Sequence, residues 1–150
     1  MLEELADLLE NIDNSVVFGL KKYWKQLIDM MNETKSDRVY CALLDCFNKG
    51  LHNCDQAQDH AIEQGIIPIV KENLDNLTST RQKPLLGILS AFYQNPKKAA
   101  TVHSQLGVNF VQVYLQHGFK TPRLEFLMER FSLSCEDDKA YNELVKGLLK

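Results

Sequence analysis

No stretch of this chain approaches about 18 uninterrupted apolar residues, so nothing in it reads as a transmembrane span, and no membrane partner is expected. An excess of positive charge is missing too. Seventeen Lys and Arg stand against 20 Asp and Glu, a formal net charge of -3. A domain that grips phosphate backbones in general is strongly basic or carries a basic stripe, so nucleic acid is not the expected partner. The opening Met1-Leu2-Glu3-Glu4 is acidic where a secretory leader is basic, and no leader is expected. The compact catalytic signatures are also absent. There is no Gly-x-x-x-x-Gly-Lys-Ser/Thr to cradle phosphates, no Gly-x-Gly-x-x-Gly, no Gly-x-Ser-x-Gly, no His-Glu-x-x-His and no Cys-x-x-Cys. No catalytic residue, metal or cofactor is therefore assigned.

What is present is the composition of a globular domain. The chain has 150 residues, 45% hydrophobic and 25% charged, enough for one domain with a substantial core. Its cysteines are Cys41, Cys46, Cys54 and Cys135. Cys41 and Cys46 fall inside an apolar helical pattern, which reads as reduced thiols in a cytoplasmic or nuclear, reducing compartment. Cys46, His52, Cys54 and His60 are zinc-ligand types, but their spacings of 6, 2 and 6 match no standard zinc module. They read as a core Cys, a loop Cys and two surface His. Cys54 and His60 lack a third group to orient a thiolate–imidazole pair. Glu3, Glu4, Asp7, Glu10 and Asp13 make the first 14 residues purely acidic, a solvated face. Lys21, Lys22 and Lys25 surround Tyr23 and Trp24, a basic aromatic group of the kind that can meet nucleic acid or acidic lipid. The simpler reading packs Leu20, Trp24, Leu27 and Ile28 inward.

The hydrophobic period is helical nearly throughout, with no strand alternation bounded by hairpin turns. Leu2, Leu5, Leu8 and Leu9 begin it. After a polar break at 11–14, Asp13 or Ser15 is expected to cap a run through Val16, Val17, Leu20, Trp24, Leu27, Ile28 and Met31, divided at Gly19. Ser36 is the expected cap of a helix through Leu43, Leu44 and Phe47. A short helix spans 55–64 and closes at Gly65, with Pro68 in the first turn of the next. Another begins near Ser79 or Thr80 and carries Pro84, Leu85 and Leu89. Asn95-Pro96 starts one more, to about Leu106. Apolar runs after Gly107, after Thr121-Pro122 and after Glu136 complete an all-α chain.

Gly19, Gly65, Gly107 and Gly147 stand 46, 42 and 40 residues apart, which implies a three-helix unit of helical-solenoid length with a glycine at each first turn. The stretch from Asp59 through Gly65 to Pro68 and Val70 resembles the junction of the first two helices of an armadillo repeat. Ala42-Leu43-Leu44-Asp45 resembles the Ala-Leu motif of its third helix, and Ile88-Leu89-Ser90-Ala91 shares only its hydrophobicity. The third unit has no Pro after Gly107. The resemblance implies an armadillo-like solenoid as a single domain over 1–150. Three degenerate units are expected at about 14–50, 55–95 and 96–135. A helix over 136–149 is either a cap or the start of a fourth unit in a longer protein.

The resemblance also implies a function. Such solenoids bind proteins along the groove lined by their third helices, here Cys41, Asp45, Lys49, Gly87, Ala91, Asn95 and residues near Met128. The peptide-binding members carry Asn and Trp ladders. The matching positions here are Asp45, Ala91 and Ser132 or a neighbour for Asn, and Cys41 and Gly87 for Trp, so both ladders are missing. A non-catalytic scaffold or adaptor that holds a helical or folded protein partner is the expected function. Its alternative is self-association as a homodimer through Tyr141, Leu144, Val145 and Leu148. A helical-repeat nucleic-acid binder and an enzyme stay open behind these two.

Overall fold

The computed structural model describes residues 2–76 and 78–106, together with Phe126, Glu129 and Glu143. Among the described residues the chain is all-α, with no strand and eight bounded helices. They are α1 (Leu2–Leu9), α2 (Ile12–Leu20), α3 (Tyr23–Glu33), α4 (Asp37–Leu51), α5 (Asp55–Gln64), α6 (Ile66–Asp75), α7 (Ser79–Tyr93) and α8 (Pro96–Leu106). The chain divides into two compact units, Met1–Ala91 and Phe92–Lys150. Gly107, the expected third repeat and the C-terminal helix lie outside the described residues.

Local chemistry accounts for most boundaries. Ser36 caps α4 as expected, its Oγ accepting from the Val39 N–H at 3.3 Å. The cap of α2 is Asn11 rather than Asp13 or Ser15. Its Oδ1 accepts from the Asp13 and Asn14 N–H groups at 2.9 and 3.3 Å, and Ser15 instead turns its hydroxyl back to the Ile12 carbonyl. Gly65 ends α5 at φ +107, a left-handed turn that suits glycine.

The expected equivalence of Gly19 and Gly65 does not hold. Gly19 lies inside α2, and the turn between α2 and α3 falls at Lys21 and Lys22, with Lys22 in the left-handed region at φ 59. Gly19 is small for another reason. A Cβ there would stand 2.7 Å from Cβ and Cγ of His60 on α5, so the missing side chain lets α2 and α5 approach closely.

In the first unit, helices three apart in the chain pack on one another. α1 lies along α4 and α2 along α5. α4 meets α7 through Asp37, Thr80 and Arg81. The packing of these pairs is repeat-like, although α3 packs on α4 and α5 rather than on α6. Two side chains of α5 fasten this arrangement. Gln58 is buried and donates to the Leu51 carbonyl at the end of α4, at 2.8 Å. Gln64 donates to the Gly19 carbonyl at 2.9 Å and accepts from the Lys25 N–H at 3.2 Å. The α3 terminus has no capping side chain of its own, so Gln64 supplies the cap from a different three-helix set.

The core holds Leu43, Leu44, Phe47, Leu51, Ala57, Ala61, Ile66, Val70, Leu85, Ile88 and Leu89. Trp24 is fully buried, stacked on Phe47 at 4.7 Å between ring centroids, with Phe18 edge-on at 4.7 Å. Inward packing of Trp24, Leu27 and Ile28 is as expected, but Leu20 is 65% exposed. In the second unit, Phe92 and Tyr93 of α7 are buried, as are Ala99, Val102 and Leu106 of α8. Asn95 caps α8, accepting from the Lys97 N–H at 3.0 Å.

Leu43→Ala and Leu89→Ala should each cost about 2–5 kcal/mol in urea melts, because both side chains are fully buried. A loss under about 1 kcal/mol in both would contradict their core position. Gln64→Ala should cost about 1–3 kcal/mol, two hydrogen bonds and an uncapped helix end, and should speed amide exchange at Lys25. Unchanged exchange at Lys25 would show that the clasp is not formed in solution.

Candidate functional site

The expected groove residues separate into three environments. Cys41, Asp45 and Lys49 recur four apart on α4 and are all half-buried. Lys49 is committed to intramolecular pairs. Its Nζ lies 2.8 Å from Asp7 and 3.8 Å from Glu10 across the contact with α1, and 3.8 Å from Asp45 on its own helix. The hydrogen bond that Lys49 donates to Asp7 holds its ammonium above the usual lysine range. Gly87 and Ala91, expected to line the groove, are both buried, Ala91 at 2% exposure, so their small size serves close packing rather than an exposed surface. Asn95 uses its side chain on the α8 cap. Met128 and the expected self-association residues Tyr141, Leu144, Val145 and Leu148 lie outside the described residues, as does Cys135.

The candidate metal and nucleophile residues also find ordinary places. Cys46 is buried with its Sγ 3.6 Å from the Leu2 carbonyl, and burial pushes its thiol up to about 12, a poor nucleophile at neutral pH. Cys54 lies in the loop before α5, as expected, where it is the N-cap residue and is buried. His60 is half-buried against Gly19, while His52 is exposed. No disulfide joins Cys41, Cys46 and Cys54. Among the described residues, no three His, Cys, Asp or Glu side chains converge as a metal-ligand set.

Periodicity alone did not reveal a polar cluster where α4, α6 and α7 meet. Arg81 of α7 reaches Asp37 of α4 through Nε and a terminal nitrogen, both at 2.9 Å. Its other terminal nitrogen donates to Asn73 Oδ1 at 3.1 Å, and its guanidinium lies 3.8 Å above the Tyr40 ring. Asn73 is buried on α6, 2.6 Å from the Tyr40 hydroxyl and 2.8 Å from the Ile69 carbonyl. Thr80 donates to Asp37 at 3.1 Å. Pro84 has no N–H to return to the Thr80 carbonyl, and the Cys41 thiol lies 3.8 Å from that oxygen. The Arg81 bonds, then that from Thr80, hold the Asp37 carboxyl below the usual carboxylate range, and burial pushes the Tyr40 hydroxyl up. Every charge in the cluster is matched inside the chain, so it locks three helices together and offers little to a ligand.

Among the described residues, the outer face of α2 carries chemistry that the chain itself does not match. Ser15 and Gly19, small and four apart, form the buried face. Asp13, Val16, Val17 and Leu20 follow the i, i+3, i+4, i+7 rule of one helical stripe, of which Asp13, Val17 and Leu20 are exposed and Val16 is half-buried. Val17 is 53% exposed and Leu20 65%. Ile12 at 52% and Leu8 at 60% extend the apolar surface across the turn between α1 and α2. Asp13 lies at one end of the stripe and Lys21 and Lys22 at the other, and no ion pair engages the three. The sequence signal was available in the small pair Ser15 and Gly19, which marks a close-packing face opposite the valines.

Compared with protein-family models, curated proteins and solved structures, the chain matches none.

The Asp37 shift sets a pH dependence. A carboxyl with a lowered folded-state pKa adds stability that is fully present above its unfolded pKa, about 3.9, and is lost as pH falls through the folded value. Wild type should therefore exceed Asp37→Asn in urea midpoint at pH 7, and the gap should shrink as pH drops below about 4. A gap that stays constant from neutral to acid pH would rule out the ion pair as its source.

Proposed function

We propose that this chain is a non-catalytic protein-interaction module, an armadillo-like helical repeat that holds a helical or folded protein partner. The observation that carries the reading is the outward apolar stripe of α2. A nine-residue helix of a folded domain normally turns its apolar side to the core, whereas α2 turns Ser15 and Gly19 inward and leaves Val17 and Leu20 in water. With Leu8 and Ile12 these side chains leave four large apolar groups exposed on and beside α2, flanked by charge, the character of a protein-binding patch. The armadillo reading is supported by the packing of α1 on α4 and α2 on α5 and by the left-handed Gly65 between α5 and α6. The α4 residues of the expected groove support binding less well, because Lys49 and Asp45 are already paired.

The test compares the full chain with the double variant Val17→Asp/Leu20→Asp as baits in affinity capture followed by quantitative mass spectrometry. Both positions are exposed, so the variant should keep its far-UV circular dichroism and its free energy of unfolding in urea within about 0.5 kcal/mol. A defined set of proteins should be retained by wild type and reduced about tenfold or more with the variant, since apolar anchors carry most of the binding energy of such a surface. Equal retention by the two baits would remove the α2 face from the function.

A further inference from the structure

The charges at the two ends of α2 indicate what covers the stripe. Asp13 lies in its first turn, Lys21 is its C-terminal cap and Lys22 follows, with Val16, Val17 and Leu20 between. The helix is therefore acidic, apolar and basic in order along one exposed side. A parallel helix of the same kind would set acid against acid and base against base. An antiparallel one sets acid against base at both ends, and a two-fold axis generates that arrangement from two copies of one chain.

We propose that the α2 face is the interface of a homodimer, with two copies of α2 packed antiparallel about an axis between Val16 and Val17. The inference rests on the reading of this face as an interaction surface and names its occupant. In this register Val16 meets Val17 of the second copy. Asp13 lies across from Leu20 of the second copy and beside its Lys21. Leu8 and Ile12 widen the apolar area at each end. An anionic membrane fits less well, because Asp13 stands in the stripe itself. α2 is only about 13 Å long, which places the contact at the small, weak end of protein interfaces.

The experiment is sedimentation velocity on the full chain from about 5 to about 200 µM, the span that covers a weak, transient interface. Wild type should shift from monomer to dimer across this range, and Val17→Asp/Leu20→Asp should stay monomeric. Asp13→Lys and Lys21→Asp should each raise the dimer dissociation constant about fivefold by replacing attraction with repulsion. The double reversal Asp13→Lys/Lys21→Asp should return it near wild type, with circular dichroism confirming that helicity is kept in every variant. A wild type that remains monomeric at the highest concentration overturns the homodimer. A dimer insensitive to Val17→Asp/Leu20→Asp, or one that the double reversal fails to restore, overturns the proposed register. If the chain is monomeric but still captures other proteins through Val17 and Leu20, the second copy is the wrong occupant while the interaction reading stands. If it is monomeric and capture is unaffected by the double variant, both readings fall.

Discussion

One amide side chain ties the first unit of this protein together. Gln64 sits at the end of α5, yet both of its hydrogen bonds go to the turn between α2 and α3, to the Gly19 carbonyl and the Lys25 N–H. That turn needs help. Lys22 holds a left-handed conformation that costs a residue with a side chain, and α3 begins without a local cap. The amide can reach the turn because Gly19 has no side chain where the two helices approach, leaving room for His60. The rotation of α2 about its own axis follows. With Ser15 and Gly19 held inward, helix geometry sends Asp13, Val17 and Leu20 outward.

The cluster around Arg81 does comparable work at the other end of the first unit, by different physics. Asn73 and Tyr40 are removed from water in whole or part, and leaving either unpaired would cost roughly 1–3 kcal/mol. Their partners sit on three helices, so the bonds are all formed only in one relative placement of α4, α6 and α7. Apolar contacts tolerate sliding, while a guanidinium shared between Asp37 and Asn73 does not. The exposed Asp37–Arg81 pair adds modest stability at best, and its value lies in fixing register. The break that Pro84 makes in the α7 hydrogen-bond ladder falls beside this cluster, where the thiol of Cys41 lies near the freed carbonyl.

Local signals in the chain were legible and long-range ones were not. Ser36, Gly65 and the Asn95-Pro96 pair announce helix ends through the hydrogen-bond needs of the adjacent residues, and all three act within four positions of themselves. Leu43, Leu89 and Trp24 are core residues by period alone. Gly19 was misread because a glycine that permits a turn and a glycine that permits close approach look identical in sequence. Gly87 and Ala91 carry the same ambiguity, and their burial resolves it toward packing. Leu20 shows the limit of apolar period, since a stripe facing a partner and a stripe facing the core obey the same spacing. The bonds from Arg81 to Asp37 span 44 residues, beyond the reach of any local pattern.

The outward stripe is not explained by the needs of folding. α2 gets its cap from Asn11, its docking from Ser15 and Gly19, its aromatic contact from Phe18 against Trp24, and its C-terminal tie from Gln64. None of these involves Val17 or Leu20. Polar residues at those two positions would leave every one of these interactions in place and would reduce exposed apolar area, which lowers the risk of non-specific association. On the proposed function, apolar side chains there serve contact with a partner. A surface that served only to be sticky would gain nothing from charge at its ends. With acid at one end and base at the other, a proposed interface of this kind would distinguish a partner in one orientation from the same partner reversed, and such discrimination is what separates an interface from a hydrophobic accident.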